Sequence, residues 1–153
     1  MLKLFISEHQ PSVITLNETV IIPSDLTIHG YHISQPDPNP NQGVAILYSK
    51  NIRATPLPQI DLDNPTKNLH HAILINTPTH QIQVATIYCP RGNPSLELIT
   101  KIIQRHPHTI ITGDRNVRHE DFGHPKNNRG GRNLVNIMNH NHLTKLKDNA
   151  PTY

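Results

Sequence analysis

Two eight-residue segments, 69–76 and 81–88, constrain the fold more than any other feature, because both are rich in aliphatic residues and only four residues separate them. The separating residues are Thr, Pro, Thr and His, and Pro among polar residues between two apolar segments indicates a turn. In the second segment Ile82, Val84 and Thr86 recur at every second position, as in a strand with one buried face. We therefore predict an antiparallel hairpin within a sheet.

Other short segments predict further strands and helices. Strands are expected at 12–19, 26–33, 43–48, 109–113 and 143–147, and helices at 2–9, 94–105 and 132–139. Asn93 stands at the N-cap position of the second helix and Pro94 at its first position, and the Pro-rich segment 35–41 is expected to be a loop. Because strands dominate and helices are interspersed, we predict an α+β fold, a layered α/β sandwich of two packed, mostly antiparallel sheets flanked by helices.

Composition narrows the class of protein. The chain of 153 residues has the length of one domain, and its core has to rest on Ile, Leu and Val because it has no Trp and only 4% aromatic residues. With Cys89 as its single cysteine, it has no intrachain disulfide. No segment approaches the ~18 apolar residues of a membrane span, and the apolar start is too short for a signal peptide. We expect an intracellular protein that makes no membrane contact.

Two acidic residues stand at the carboxyl ends of predicted strands. Glu18 lies in the segment LNET (16–19), and Asp114 lies in GDRN (113–116). Sheets commonly present reactive groups at strand ends, and Mg²⁺ is often held by only one or two protein carboxylates together with water. Glu18 is therefore a candidate metal ligand, and Asp114 is a candidate for orienting water or phosphate. Taken singly, each of them is more often a solvated turn residue.

Six short blocks in a fixed order carry more information than either carboxylate alone. They are PSVITLNET (11–19), QGVAIL (42–47), ATIYCP (85–90), IITGDRN (110–116), NRG (128–130) and PT (151–152). In this order and at these intervals they resemble the successive blocks of the endonuclease/exonuclease/phosphatase superfamily. The NRG block and the PT ending resemble, within it, the endonuclease domains of LINE-type (non-LTR) retrotransposons.

The resemblance implies a role for each matching residue of the site. Glu18 would bind the metal ion, Mg²⁺ or Mn²⁺, and the hydroxyl of Tyr88 would contact the scissile phosphate. Asp114 would align or deprotonate the attacking water, and Asn116 would donate its amide to a phosphate oxygen. We therefore expect these four side chains to converge in space. Without the resemblance, Tyr88 is better interpreted as a buried strand aromatic with a satisfied hydroxyl.

Other residues have weaker or open assignments. Thr152 matches a position that supports the site, and Asn128, with the two residues after it, is expected to shape a turn before a helix. Arg115 replaces a residue that is usually apolar in the family; we favour a solvent-facing side chain beside a disrupted core position, and the alternative is a contact to DNA phosphate. Most of the twelve histidines are expected at the surface, and a zinc site built from them lacks the ligand spacing.

The function implied by the resemblance is metal-dependent hydrolysis of a phosphodiester bond in DNA, which leaves a nick that primes reverse transcription. DNA would be the partner, together with a reverse transcriptase domain in a longer parent chain, and the protein would be nuclear if it acts on DNA. The net charge of +3 is compatible with this partner but is common in other classes of protein.

Departures from the family pattern lead to a modified expectation. The family begins with a strand that bears an asparagine and ends with a Ser-Asp-His block, and neither is found in the sequence. We expect residues 1–153 to be a single truncated domain, an incomplete fragment or a degenerate copy with weak or no activity. One alternative is a competent phosphodiesterase completed by a longer parent chain or a partner. Another is a non-catalytic nucleic-acid or protein interaction module that retains the scaffold.

Overall fold

Two sheets of mainly antiparallel strands form the core of the fold. The computed structural model describes residues 2–19, 27–36, 43–63 and 67–146. The first sheet has the order β1-β3-β2 and the second the order β4-β5-β6-β7, and within them only β6 and β7 pair in parallel. The strands are β1 (Val13–Asn17), β2 (Tyr31–Ser34), β3 (Val44–Ser49), β4 (Arg53–Pro56), β5 (Leu69–Asn76), β6 (Gln81–Tyr88) and β7 (Thr109–Thr112).

Three helices accompany the sheets in the described part of the chain: α1 (Leu2–His9), α2 (Leu96–Arg105) and α3 (Arg129–His140), besides a short 3-10 turn, Glu120–Phe122. The predicted α+β class, with two packed and mostly antiparallel sheets, is confirmed. None of these helices has both the length and the apolar character that crossing a membrane requires.

The contacts divide the chain into two compact units. The sheet unit consists of Met1–Gln59, Leu69–Tyr88 and His108–Gly113, and the helix unit consists of Ile60–Asn68, Cys89–Pro107 and Asp114–Tyr153. The expectation that residues 1–153 form one truncated domain stays a prediction.

Aliphatic side chains fill the space between the two sheets of the sheet unit. Ile46, Tyr48, Ile73 and Val84 are buried there, and the half-buried side chains packed against them are Val13, Ala54, Ile75 and Ile82. Helix α1 covers the opposite face of the first sheet, where its residue Ile6 packs with Leu47 and its neighbours. The first sheet is therefore covered on both faces by residues of its own unit.

Strand β6 differs from the prediction. We expected a half-buried strand, but all residues from Gln83 to Tyr88 are buried, so both faces of this strand are covered. Gln83, at the start of this run, lies in the interior, where its side-chain nitrogen donates to the Thr109 hydroxyl at 3.2 Å. This hydrogen bond gives the buried side-chain nitrogen of Gln83 a partner, which lowers the cost of placing the residue in a central strand.

The hairpin of β5 and β6 is confirmed, whereas several element boundaries were wrong. Helix α2 begins two residues later than predicted and is capped by Ser95, whose hydroxyl accepts from the Leu98 amide at 3.2 Å, and not by Asn93. Helix α3 begins three residues before Arg132. No strand forms at 143–146, and the sequence pattern missed β4. Leu26, Lys147 and residues 37–41 of the predicted loop lie outside the described residues.

The helix unit has its own packed and hydrogen-bonded interior. Its buried side chains include Leu98, Ile99 and Ile102 of α2, and Leu134 and Ile137 of α3. Two hydrogen bonds join its segments: Thr100 with Asn141 at 3.2 Å, and the Asn133 amide with the Pro94 carbonyl at 2.9 Å. Each helix therefore buries one face, as its spacing of aliphatic residues predicts.

Candidate functional site

The interface between the two sheets changes from apolar to polar toward the carboxyl ends of β1, β6 and β7. Strand register places His71, Thr86 and Thr112 side by side in one row of the second sheet. Side chains of the first sheet contact this row: Ser34 lies 2.6 Å from His71, and Thr15 lies 3.3 Å from Thr112. We call these side chains the polar layer.

A hydrogen bond next to the polar layer joins the strands that carry two of the predicted site residues. The Thr86 hydroxyl donates to the side-chain Oδ1 atom of Asn17 at 3.0 Å. Asn17 is the last residue of β1 and directly precedes Glu18, and Thr86 stands two residues before Tyr88 on β6. Because residues two apart on a strand share a face, this bond ties the two sheets together where Glu18 and Tyr88 emerge.

Glu18 and Tyr88 form a direct pair. The buried Tyr88 hydroxyl donates to the Oε1 atom of the exposed Glu18 carboxylate at 2.7 Å. Glu18 adopts the left-handed conformation with φ +57°, which is unfavourable for residues other than Gly, Asn and Asp. Tyr88 is thus a buried strand aromatic whose hydroxyl is satisfied, here by the candidate metal ligand. Its contact to the scissile phosphate stays a prediction.

Asp114 and Asn116 lie together in a loop of the helix unit. The Asp114 Oδ1 atom accepts from the Asn116 backbone amide at 2.8 Å, and Asn116 has φ +50°. The Asn116 side-chain amide donates to the Cys89 carbonyl at 3.2 Å, and the Cys89 amide donates to the Asp114 carbonyl at 2.9 Å. This arrangement holds both exposed side chains on a fixed loop. The predicted convergence of all four residues stays a prediction.

Asn128 caps α3 and does not shape a turn ahead of it, so that interpretation was wrong. Its side-chain oxygen accepts from the Gly131 amide at 2.7 Å and from the Arg118 amide at 3.1 Å. Its backbone amide donates to the Arg118 carbonyl at 2.9 Å. Asn128 therefore supports the loop after Asn116 through hydrogen bonds, while Thr152 lies outside the described residues.

Arg115 and Cys89 are shielded from solvent inside the helix unit. Arg115 is half-buried, and burial lowers the pKa of its guanidinium, opposed by the nearby Cys89 and Asp114. Arg115 is therefore only partly exposed, in contrast to the expected solvent-facing side chain, and its contact to DNA phosphate stays a prediction. Burial raises the pKa of the Cys89 thiol to about 11, while Arg115 opposes this rise. The thiol is therefore protonated at neutral pH, as in a structural buried cysteine of low reactivity.

Two histidines depart from the expected surface location, because His70 and His71 are buried. His71 is 3% exposed, and its Nδ1 atom has no hydrogen-bond partner among the described residues. Burial lowers the pKa of His71 to about 4, so its ring is neutral at physiological pH. Its partner Ser34 comes from a distant strand, and nothing in the sequence signals their pairing.

The buried His71 makes a pH dependence of stability measurable. Its pKa falls from 6.5 to about 4 on folding, so the unfolded chain binds the proton more tightly and protonation favours unfolding. The free energy of unfolding should fall by about 3 kcal/mol as the pH decreases from 6.5 to 4, with no further contribution of this group at lower pH. Urea unfolding across this range measures the effect. In a His71→Gln variant the free energy of unfolding should fall less steeply with decreasing pH. An equal pH dependence in both proteins would contradict the lowered pKa of His71.

Comparisons with known proteins agree with this architecture. The model of the family described as endonuclease-reverse transcriptase matches residues 82–153. The RNA-directed DNA polymerase from the mobile element jockey of Drosophila melanogaster is 24% identical over 162 residues. This similarity covers 99% of the chain but 17% of that polymerase, so the chain spans less than a fifth of this relative's length.

Solved structures show the same fold. The endonuclease domain of TRAS1, a telomere-specific non-LTR retrotransposon, superposes with a TM-score of 0.79 at 17% identity and covers 99% of the chain and 68% of that domain. The human Nocturnin catalytic domain has a TM-score of 0.60 at 13% identity, and the match covers 76% of the chain and 55% of that domain. D. rerio TDP2, complexed with a single-strand DNA product, has a TM-score of 0.56 at 14% identity, and the match covers 80% of the chain and 54% of that protein. The predicted resemblance to retrotransposon endonuclease domains is confirmed.

Proposed function

We propose that this chain, which resembles the endonuclease domains of non-LTR retrotransposons in sequence and in fold, is a divalent-metal-dependent hydrolase that nicks DNA. The observation that carries the proposal is the pairing of Glu18 with Tyr88, because it fixes an exposed carboxylate at a strand end. A solvated turn residue would not require a buried tyrosine hydroxyl to orient it.

The donor set fits Mg²⁺ or Mn²⁺ better than a metal that needs several protein ligands. The described residues contain no group of three or more His, Cys, Asp or Glu side chains that are placed to hold a metal ion. Mg²⁺ retains several waters and is commonly held by one or two carboxylates. Glu18 would hold it through the carboxylate that Tyr88 orients. When bound, the ion would act as a Lewis acid on phosphate oxygens.

The remaining site residues have distinct tasks in this proposal. The carboxylate of Asp114 aligns the attacking water and accepts its proton. The side-chain amide of Asn116 keeps one N–H bonded to the Cys89 carbonyl, and its second N–H is available for a phosphate oxygen. The Tyr88 hydroxyl has one proton, which it donates to Glu18 in the free protein; with substrate bound it would redirect this O–H to a phosphate oxygen on which negative charge develops. We propose that the Glu18 pair and the Asp114 loop serve the same reaction.

The partners follow from the same proposal. The DNA backbone is the substrate, and a reverse transcriptase in a longer parent chain would use the nick. Action on chromosomal DNA would place the protein in the nucleus. The expectation of weak or no activity stays a prediction. Nicking of supercoiled plasmid with Mg²⁺, measured against the same reaction with EDTA, tests it directly. Plasmid binding without any nicking would favour the non-catalytic interaction module.

Replacing Glu18 by Gln should weaken binding of Mg²⁺ or Mn²⁺ at least about tenfold, because the ligand loses its charge. The Gln oxygen still accepts from Tyr88, so circular dichroism should be unchanged. Mn²⁺ titration followed by electron paramagnetic resonance measures the affinity. Glu8→Gln serves as the control, since Glu8 is also exposed and lies on α1 of the same unit. Equal Mn²⁺ affinity in both variants would remove Glu18 from the metal site.

A further inference from the structure

Four arginines of the helix unit are exposed on segments whose backbones contact one another. They are Arg91, Arg118, Arg129 and Arg132. We call this set the arginine surface. Arg129 and Arg132 stand one helical turn apart on α3, and the exposed Asn136 continues the same face of that helix. The other two belong to the loops before α2 and before the short 3-10 turn.

Two glycines bring these segments into contact. A Cβ atom added to Gly130 would lie 1.8 Å from the Gly92 carbonyl oxygen, and one added to Gly131 would lie 2.0 Å from the Arg118 carbonyl oxygen. The start of α3 therefore packs directly on the backbone beside Arg91 and at Arg118. Asn128 adds three hydrogen bonds, one to the start of α3 and two to the backbone of Arg118, as described above. The four arginines thus project from one rigid base.

Acidic residues of the described chain do not neutralise this surface. None of the four arginines takes part in an ion pair there. The acidic residues nearest in sequence are engaged elsewhere, since Asp121 pairs with His119 at 3.4 Å and Glu120 bonds to the Asn127 amide at 3.4 Å. Gathering like charges on a rigid base is unfavourable by itself, and a bound polyanion relieves the repulsion.

We propose that the arginine surface binds the phosphate backbone of duplex DNA. This inference rests on the proposed function and adds to it the surface that retains the substrate. Guanidinium groups match phosphate oxygens through two parallel N–H donors. Contacts of this kind fix the position of a duplex without reading its sequence. Each neutralised phosphate releases condensed counterions, which makes the affinity depend steeply on salt.

The test measures binding without cleavage. Fluorescence anisotropy of a labelled DNA duplex is recorded in EDTA over a series of NaCl concentrations. The variant Arg118→Gln/Arg129→Gln/Arg132→Gln should bind at least about tenfold more weakly at low salt. Its slope of log affinity against log salt should be shallower by about 2–3, since each lost phosphate contact removes about 0.9 for B-form DNA. Circular dichroism should not change, because all three side chains are exposed.

A matched control separates this surface from net charge. The variant Lys3→Gln/Lys50→Gln/Arg53→Gln removes three positive charges from exposed positions of the sheet unit, and it should retain the affinity and slope of the parent. Equal losses in both triple variants, or no loss in the arginine variant, would overturn the proposal. Tighter binding of duplex RNA than of duplex DNA would overturn the assignment to DNA. A chain that binds in this way but never nicks would refute the proposed function and leave the surface standing.

Discussion

Replacing Asp114 by Asn should lower the rate of plasmid nicking by about 10²–10⁴-fold, the usual contribution of a positioned general base. The substitution is nearly isosteric, and the Asn side-chain oxygen can still accept from the Asn116 amide that Asp114 now binds. The loop and its left-handed Asn116 should therefore persist, so the loss reports the missing carboxylate charge and not a rearranged loop. Single-turnover nicking with Mg²⁺ measures the rate.

The control for this variant is Asp61→Asn, which makes the same change of charge at another exposed position of the helix unit. It should nick at the parental rate. If both residues serve one reaction, the double variant Asp114→Asn/Glu18→Gln should nick only slightly more slowly than the slower of the two single variants. The reason is that the rate losses of groups that act as a unit are not additive. Full activity in Asp114→Asn would exclude the assigned role.

Replacing Gly130 and Gly131 together by Ala should destabilise the fold by about 2–4 kcal/mol net, because the added methyl groups overpack two positions that face backbone. Alanine favours a helix over glycine by about 1 kcal/mol per residue, so propensity alone predicts the opposite sign. The clash decides the outcome, because the new Cβ atoms would lie within 2.0 Å of the carbonyl oxygens of Gly92 and Arg118. Backbone oxygens cannot move aside as a flexible side chain can. Urea unfolding measures the change.

Asn136→Ala gives the matched comparison for the glycine variant. Asn136 is exposed on the same helix, so this substitution changes propensity without a clash and should raise the free energy of unfolding by a few tenths of a kcal/mol. A glycine variant that is as stable as the parent would show that α3 can shift away from the loops it touches. The arginine surface would then lose its rigid base.

Sequence patterns predicted the parts of the fold that depend on local chemistry. The β5–β6 hairpin follows from two aliphatic segments around a Pro-containing turn, and α2 follows from the spacing of its buried Ile99 and Ile102. The start of α3 was missed because Gly130 and Gly131 are poor helix formers, whereas their tight packing against other backbone is a tertiary effect. Strand β4 contains Arg53 and Pro56 and carries little apolar signal.

The site was predictable to a similar extent. The ordered blocks of sequence singled out Glu18 and Tyr88, and the structure joins these two residues by a hydrogen bond. Thr86 lay within a recognised block, and its two-residue spacing from Tyr88 was a usable sign that both share a face. The pairing of Ser34 with His71 had no such sign, since it joins residues 37 positions apart on different sheets. Long-range contacts of this kind depend on register, which sequence periodicity does not specify.

The left-handed backbone of Glu18 has a consequence for how such a chain changes over generations. Glycine would relieve the conformational penalty at this position, which is of order 1 kcal/mol, and asparagine would reduce it. Mutational drift under selection for folding alone would therefore tend to discard the carboxylate. A glutamate maintained at φ +57° opposes thermodynamic preference, so its persistence or loss among related copies would distinguish elements still selected for cleavage from those that have become inert.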